Sequence, residues 1–125
     1  MRVMTPRRPD PHALLPLSPA AFHILLSLVD GERHGYAIMR EVEARSGGEV
    51  RLGPGTLYGA IKRMLDQGVL EEAGERPARE GDDERRRYYR LTALGREVVA
   101  AEAARLERLV ELARAKNLLP RPGAA

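Results

Sequence analysis

The chain has neither cysteine nor tryptophan among its 125 residues. Disulfides and thiolate metal sites are therefore excluded. Aromatic residues make up only 4% of the sequence against an apolar fraction of 43%, so a core must be built from leucine, valine, isoleucine, methionine and alanine. No apolar run approaches the roughly 20 residues that span a bilayer. The opening MRVMTPRRPDPHALLP has arginines but no long apolar stretch after them, so it is not read as a secretory signal, and the expected compartment is the cytoplasm. His12, His23 and His34 are scattered, with no carboxylate or second histidine at ligand spacing, which argues against a metal. No nucleophile stands beside a base, and the glycines of GPGTLYG have the wrong spacing for a nucleotide loop. An enzyme is not expected, nor is a cofactor.

What remains is charge and periodicity. The net charge of +3 and pI near 9.7 permit nucleic-acid binding without demanding it, because many arginines sit beside many glutamates. At 125 residues there is room for one compact domain plus tails. Residues 1–17 carry four prolines and three arginines before Leu17 and read as a mobile arm, either laid along DNA phosphates or simply disordered. Ser18-Pro19 is a helix start, with serine as cap and proline at the first helical position, and Gly31 is the matching stop. Phe22, Leu25, Leu26 and Val29 form one stripe of this first helix, with Ile24 and Leu28 off it. A helix apolar nearly all round is usually covered on two sides, and a domain this small offers one core. The second cover is expected from another subunit.

A second helix is expected from about Gly35 to Ser46, with Ile38, Met39 and Val42 inward; Tyr36 is read as core in preference to the alternative of a contact. Pro54 opens a third helix and Gly68 closes it. Leu57, Ala60, Ile61, Met64 and Leu65 fall on one side at helical spacing. The other side carries Gly55, Thr56, Gly59, Lys62, Arg63 and Asp66, with Tyr58 at its edge. This low-bulk, hydroxyl-bearing, basic face suits a DNA major groove, and a plain solvated face is the alternative. Lys62 and Arg63 are expected on phosphates, and Thr56 on a phosphate or a thymine methyl. Tyr58 either offers its hydroxyl to phosphate or plugs the boundary between helix and hairpin.

Val69 to Ala73 and Arg86 to Leu91 read as a pair of strands, with Tyr89 and Leu91 in the core and Tyr88 and Arg90 on the opposite face. The loop between them, ERPAREGDDER, balances five acidic residues against the basic residues around it. Its EGDDE tip would be repelled by phosphate, leaving the base at Arg85 to Arg87 as the better contact. Thr92 caps a last helix running to about residue 117, and Val99, Ala103, Leu106, Val110 and Ala113 recur along it at spacings of four and three. About 24 residues span about 36 Å, longer than so small a domain can cover, so the distal part should meet a partner chain.

Three helices, a two-stranded wing and a long terminal helix make a mainly α winged helix-turn-helix with a C-terminal dimerisation helix. The divisions are an arm over 1–17, the winged domain over 18–91, the dimerisation helix over 92–117 and a tail over 118–125. At this point the wording resembles the PadR-like transcriptional regulators. The matching pieces are LSPAAFHILLSLVDGERHGYAIMREVE, LGPGTLYGAIKRMLDQGVLEE and RRRYYRLTALGRE, and with the last helix they cover about residues 17 to 117. The single terminal helix is similar to the family's smaller subgroup.

The resemblance implies a homodimeric repressor in which each terminal helix packs on the partner's first and terminal helices. Phe22 then joins Val99, Ala103, Leu106, Val110 and Ala113 in the expected interface. It implies a third helix in the major groove of double-stranded DNA and a wing on the flanking backbone, reading a two-fold symmetric operator. Thr56 and Tyr58 of GTLY match positions that approach DNA, Lys62 matches a polar exposed position, and Arg86 and Arg87 match basic positions on the returning strand. Gly53 stands where the family often has a serine or threonine cap. The family often responds to small molecules, so an effector of unknown identity is a further expected partner, although stacking on tryptophan is unsupported here. The competing reading is a winged-helix module that docks on another protein, motivated by the acidic wing tip.

Overall fold

The computed structural model describes residues 10–78, 81 and 84–123. Its elements are a short 3-10 turn over Pro11–Leu14, then α1 (Pro19–Ser27), β1 (Arg33–His34), α2 (Gly35–Arg45), α3 (Pro54–Asp66), β2 (Leu70–Pro77), β3 (Arg85–Leu91) and α4 (Ala93–Ala115). α1, α2 and α4 begin where a side chain can take an orphan amide. Ser18 Oγ accepts the Ala21 N–H at 3.1 Å, with Pro19 at the first position of α1. Thr92 works in both directions, accepting the Gly95 N–H at 3.0 Å and donating to the Gly68 carbonyl at 2.6 Å. It thereby ties the end of α3 to the start of α4. α3 opens on Gly53 with no side-chain cap, as the missing serine or threonine implies.

The helices enclose a core of Ile24, Leu25, Leu28, Ile38, Val42, Leu57, Ala60, Ile61, Met64, Val69, Leu70, Tyr89, Leu91, Val98 and Val99. Tyr89 and Leu91 lie inside as their strand alternation requires, and so do Ile38 and Val42. The first helix divides its apolar residues between the core and the surface. Ile24, Leu25 and Leu28 face the core, while Leu26 and Val29 are exposed and Phe22 only partly covered. With apolar residues on every side, periodicity could not choose the inner face of α1; contact with α2 and α4 chooses it.

The sheet has three strands in the order β1-β3-β2, all antiparallel, where two were expected. The turn leaving α1 lays Arg33 and His34 along the free edge of β3, opposite Tyr89 and Tyr88. Two residues are too few to announce a strand in sequence. β2 runs on to Pro77, further than expected, and carries a bulge between Glu72 and Glu75 where Gly74 adopts φ +97°. The bulge gives β2 one more residue than β3 across that stretch.

α4 packs in its first half only. Leu94, Val98, Val99 and Glu102 lie against the domain, and Gly95 lets the helix approach so closely that an added Cβ would overlap the Val69 carbonyl oxygen. Of the expected seam only Val99 is buried within the chain; Ala103 and Val110 are exposed, Leu106 and Ala113 intermediate. The expected arm also needs correction over 10–17. Leu14, Leu15 and Leu17 pack against the core, and the Leu17 N–H donates to Glu102 Oε2 at 2.6 Å. The other Glu102 oxygen pairs with Arg105. The proline-rich composition suppressed a helix there, but three leucines still find an apolar surface on α4. Residues 1–9 of that arm lie outside the described residues.

Candidate nucleic-acid interface

α3 stands with Leu57, Ala60, Ile61 and Met64 in the core, which forces Gly55, Thr56, Lys62, Arg63 and Asp66 outward. Lys62 and Arg63 are both exposed on that face, together with Thr56 at its N-terminal end. Tyr58 is 50% exposed and lies over Gly35, the first residue of α2. No side chain fits between them: a Cβ at Gly35 would collide with the Tyr58 hydroxyl and ring. Tyr58 therefore closes on the start of α2 while half of its surface stays in solvent.

Between the start of α2, the start of α3 and the hairpin lies an open cleft of about 570 Å³. Tyr36, Tyr58, Arg85, Arg86 and Arg87 line it, with Glu75 and Glu84 on its walls. The sheet thus brings Arg86 and Arg87 beside Tyr58 at the start of α3, which residues so far apart in sequence could not guarantee. The wing-tip residues Arg79, Glu80, Asp82 and Asp83 lie outside the described residues.

Two members of this site were missed or misplaced in sequence. Tyr36, assigned to the core, is 52% exposed, since Ile38 and Val42 take the inner face of α2 and turn it outward. The guanidinium of Arg40 lies 5.8 Å from its ring centroid and that of Arg86 lies 6.0 Å away. His34, read only as a scattered histidine, caps α2: its Nδ1 accepts the Ala37 N–H at 3.2 Å. Arg86 Nη1 lies 3.1 Å from its Nε2, and Tyr88 meets the ring edge-on at 5.3 Å. A neutral imidazole has one free lone pair for these two donors, and an imidazolium has none. Burial first, and then the charge of Arg86, hold the His34 pKa below the ordinary imidazole value.

Arg87 has a different partner set, Glu72 at 3.5 Å and Glu75 at 3.4 Å, and these carboxylates raise its pKa, Glu72 contributing most. On the other side of the hairpin Arg90 pairs with Glu71 at 2.7 Å, and Arg76 pairs with Glu32 while lying 4.1 Å from the Tyr88 ring centroid. Among the described residues no three His, Asp or Glu side chains group to hold a metal, and no helix is long and apolar enough to cross a membrane.

An amphipathic helix presenting hydroxyls and cations beside a basic hairpin defines a winged helix-turn-helix regulator. Residues 24–101 match the Transcriptional regulator PadR-like family, and the chain belongs to that family. It is 42% identical over 89 residues to an uncharacterised 37.1 kDa protein in transposon TN4556 of Streptomyces fradiae, covering 69% of this chain and 22% of that protein. The chain thus spans about a fifth of that relative's length. It is 36% identical over 87 residues to the transcriptional regulator Rv3488 of Mycobacterium tuberculosis, covering 70% of this chain and 75% of that protein. In fold it is similar to Bacillus subtilis PadR, solved in complex with operator DNA, with a TM-score of 0.54 at 23% identity over 65% of this chain and 44% of that one.

Proposed function

We propose that this transcriptional regulator is a homodimeric repressor that places α3 in the major groove of a two-fold symmetric operator and rests its wing on the flanking backbone. The observation that carries the DNA-binding reading is the outward face of α3, with Thr56, Lys62 and Arg63 exposed, continuous with the cleft that Tyr58, Arg86 and Arg87 line. Lys62 and Arg63 take phosphates, and Tyr36 and Arg40 extend the contact surface along α2. The similar Bacillus subtilis PadR bound to operator DNA supports the same use of the fold.

The dimer reading rests on uncovered apolar surface. Leu26 and Val29 beside Phe22 on α1, and Leu109, Val110 and Leu112 on α4, are more than a solitary chain this size usually leaves in water. The interface uses Phe22, Ala103, Leu106, Val110 and Ala113; Val99 is already spent in the chain's own core. A regulator of this kind works in the cytoplasm, and an effector could act by shifting the angle between the two wings.

The test is binding to the DNA upstream of its own gene at several salt concentrations. Affinity should fall steeply with salt, and Lys62→Ala or Arg63→Ala should weaken all duplexes alike while lowering the salt slope by about 1 each. Salt-insensitive binding would contradict phosphate neutralisation.

A further inference from the structure

We propose that Glu72 and Glu75 are internal stand-ins for a DNA phosphate: they hold Arg87 in the unbound protein and are displaced from it by the duplex backbone. The inference rests on the DNA-binding reading above and concerns how that site is tuned.

Geometry first. Arg87 Nη1 lies 3.5 Å from Glu72 and Nη2 lies 3.4 Å from Glu75, so the two nitrogens that would grip a phosphate each face a carboxylate. Residues three apart in a regular strand point to opposite faces and could not both serve one arginine. The bulge at Gly74 removes that obstacle. Glu72 pairs with Tyr89 in the register and Glu75 with Arg87, three steps along β2 against two along β3. The extra residue rotates Glu75 back to the side of Glu72.

Glu75 and Arg87 both line the cleft beside Tyr58, so the Arg87–Glu75 pair borders the surface proposed above to meet the DNA backbone. The neighbouring cation is arranged otherwise: Arg86 stands against the His34 ring. All three side chains of the Arg87 cluster are about half exposed, at 54% for Arg87 and 51% for each glutamate. Such pairs are weak and exchange readily, as a displaceable occupant must. The consequence is a wing whose grip on DNA is held down by its own carboxylates, equally for every sequence, since a backbone contact carries no base information.

The experiment is a double-mutant cycle on the full chain, read by fluorescence anisotropy with a labelled duplex from upstream of its own gene at low salt. E72Q/E75Q should bind about two- to tenfold more tightly than wild type, by release of two exposed pairs. In an R87A background the same two changes should alter affinity by less than about twofold. An equal gain in both backgrounds would mean plain repulsion between carboxylates and DNA and would overturn the inference, as would duplex binding by wild type with no gain in E72Q/E75Q. If neither protein retains any duplex, the DNA-binding reading itself fails and the inference falls with it.

Discussion

His34 joins several contacts of the site, and its cap on α2 requires a ring lone pair that protonation removes. It caps α2, faces Arg86 and packs on Tyr88. Its pKa is lower in the folded chain than the ordinary 6.5, so the unfolded chain takes up the proton first as pH falls. The stabilisation is therefore complete above about 6.5 and is lost as pH drops below it. Thermal melts between pH 8 and about 5.5 should show this decline, and His34→Asn, which keeps a capping acceptor without titrating, should flatten it. An unchanged slope in His34→Asn would place the titration elsewhere. Glu102 adds a second window. Its hydrogen bond from Arg105, followed by that from the Leu17 amide, depresses its pKa below the ordinary 4.5, so its contribution is present above that value and fades as pH falls through it. Glu102→Ala should cost about 1–3 kcal/mol and release residues 10–17 from α4, visible as faster amide exchange at Leu17. Neither residue was legible as important in the sequence. Each is an ordinary charged or polar letter whose role depends on a partner remote in the chain, 85 positions away for Glu102 and 52 for Arg86 of His34.

Elements were easier to read where a cap, a glycine or a clear period marked them. Ser18, Pro19, Pro54 and Thr92 announce helices that do start there, and the amphipathic period of α3 separates its core side from its outward side as observed. Less was legible where the pattern was degenerate. α1 is apolar all round, so its pattern marked a stripe without saying which side meets the core, and Tyr36 was placed inside because aromatic residues usually are. β1 has two residues and no pattern at all. The joints between elements make a sharp prediction. Gly95→Ala should lower stability by about 1–3 kcal/mol in chemical denaturation, because the new methyl meets a backbone carbonyl that cannot turn aside. Gly35→Ala meets only the far end of Tyr58. It should cost less stability and instead swing Tyr58 outward, weakening DNA binding by a measurable factor while the melting temperature stays closer to wild type.

For the molecule as a whole, the question is what covers the apolar surface left open. Leu112 on the distal half of α4 is 62% exposed, and Leu109, Val110, Leu26 and Val29 are exposed with it. Light scattering at micromolar concentration should report twice the chain mass of 13.9 kDa. Val110→Glu, which puts a charge into the proposed seam without touching the core, should shift the chain toward monomer and reduce affinity for a two-site operator far more than for a half-site. A monomeric wild type would remove the spacing of about 34 Å between recognition helices that a symmetric operator requires.

Local chemistry was enough to determine the helices of this chain, the two main strands of the wing and the cationic face of α3, because caps and periodicity act over one or two turns and leave their mark in neighbouring letters. Only the tertiary structure decided which side of α1 is buried, that residues 10–17 strap onto α4, that His34 supports both α2 and the wing, and that Arg87 is held by carboxylates across a bulge. Those outcomes depend on close approach between segments distant in sequence, where burial and charge pairing are settled by geometry that no short run of residues encodes.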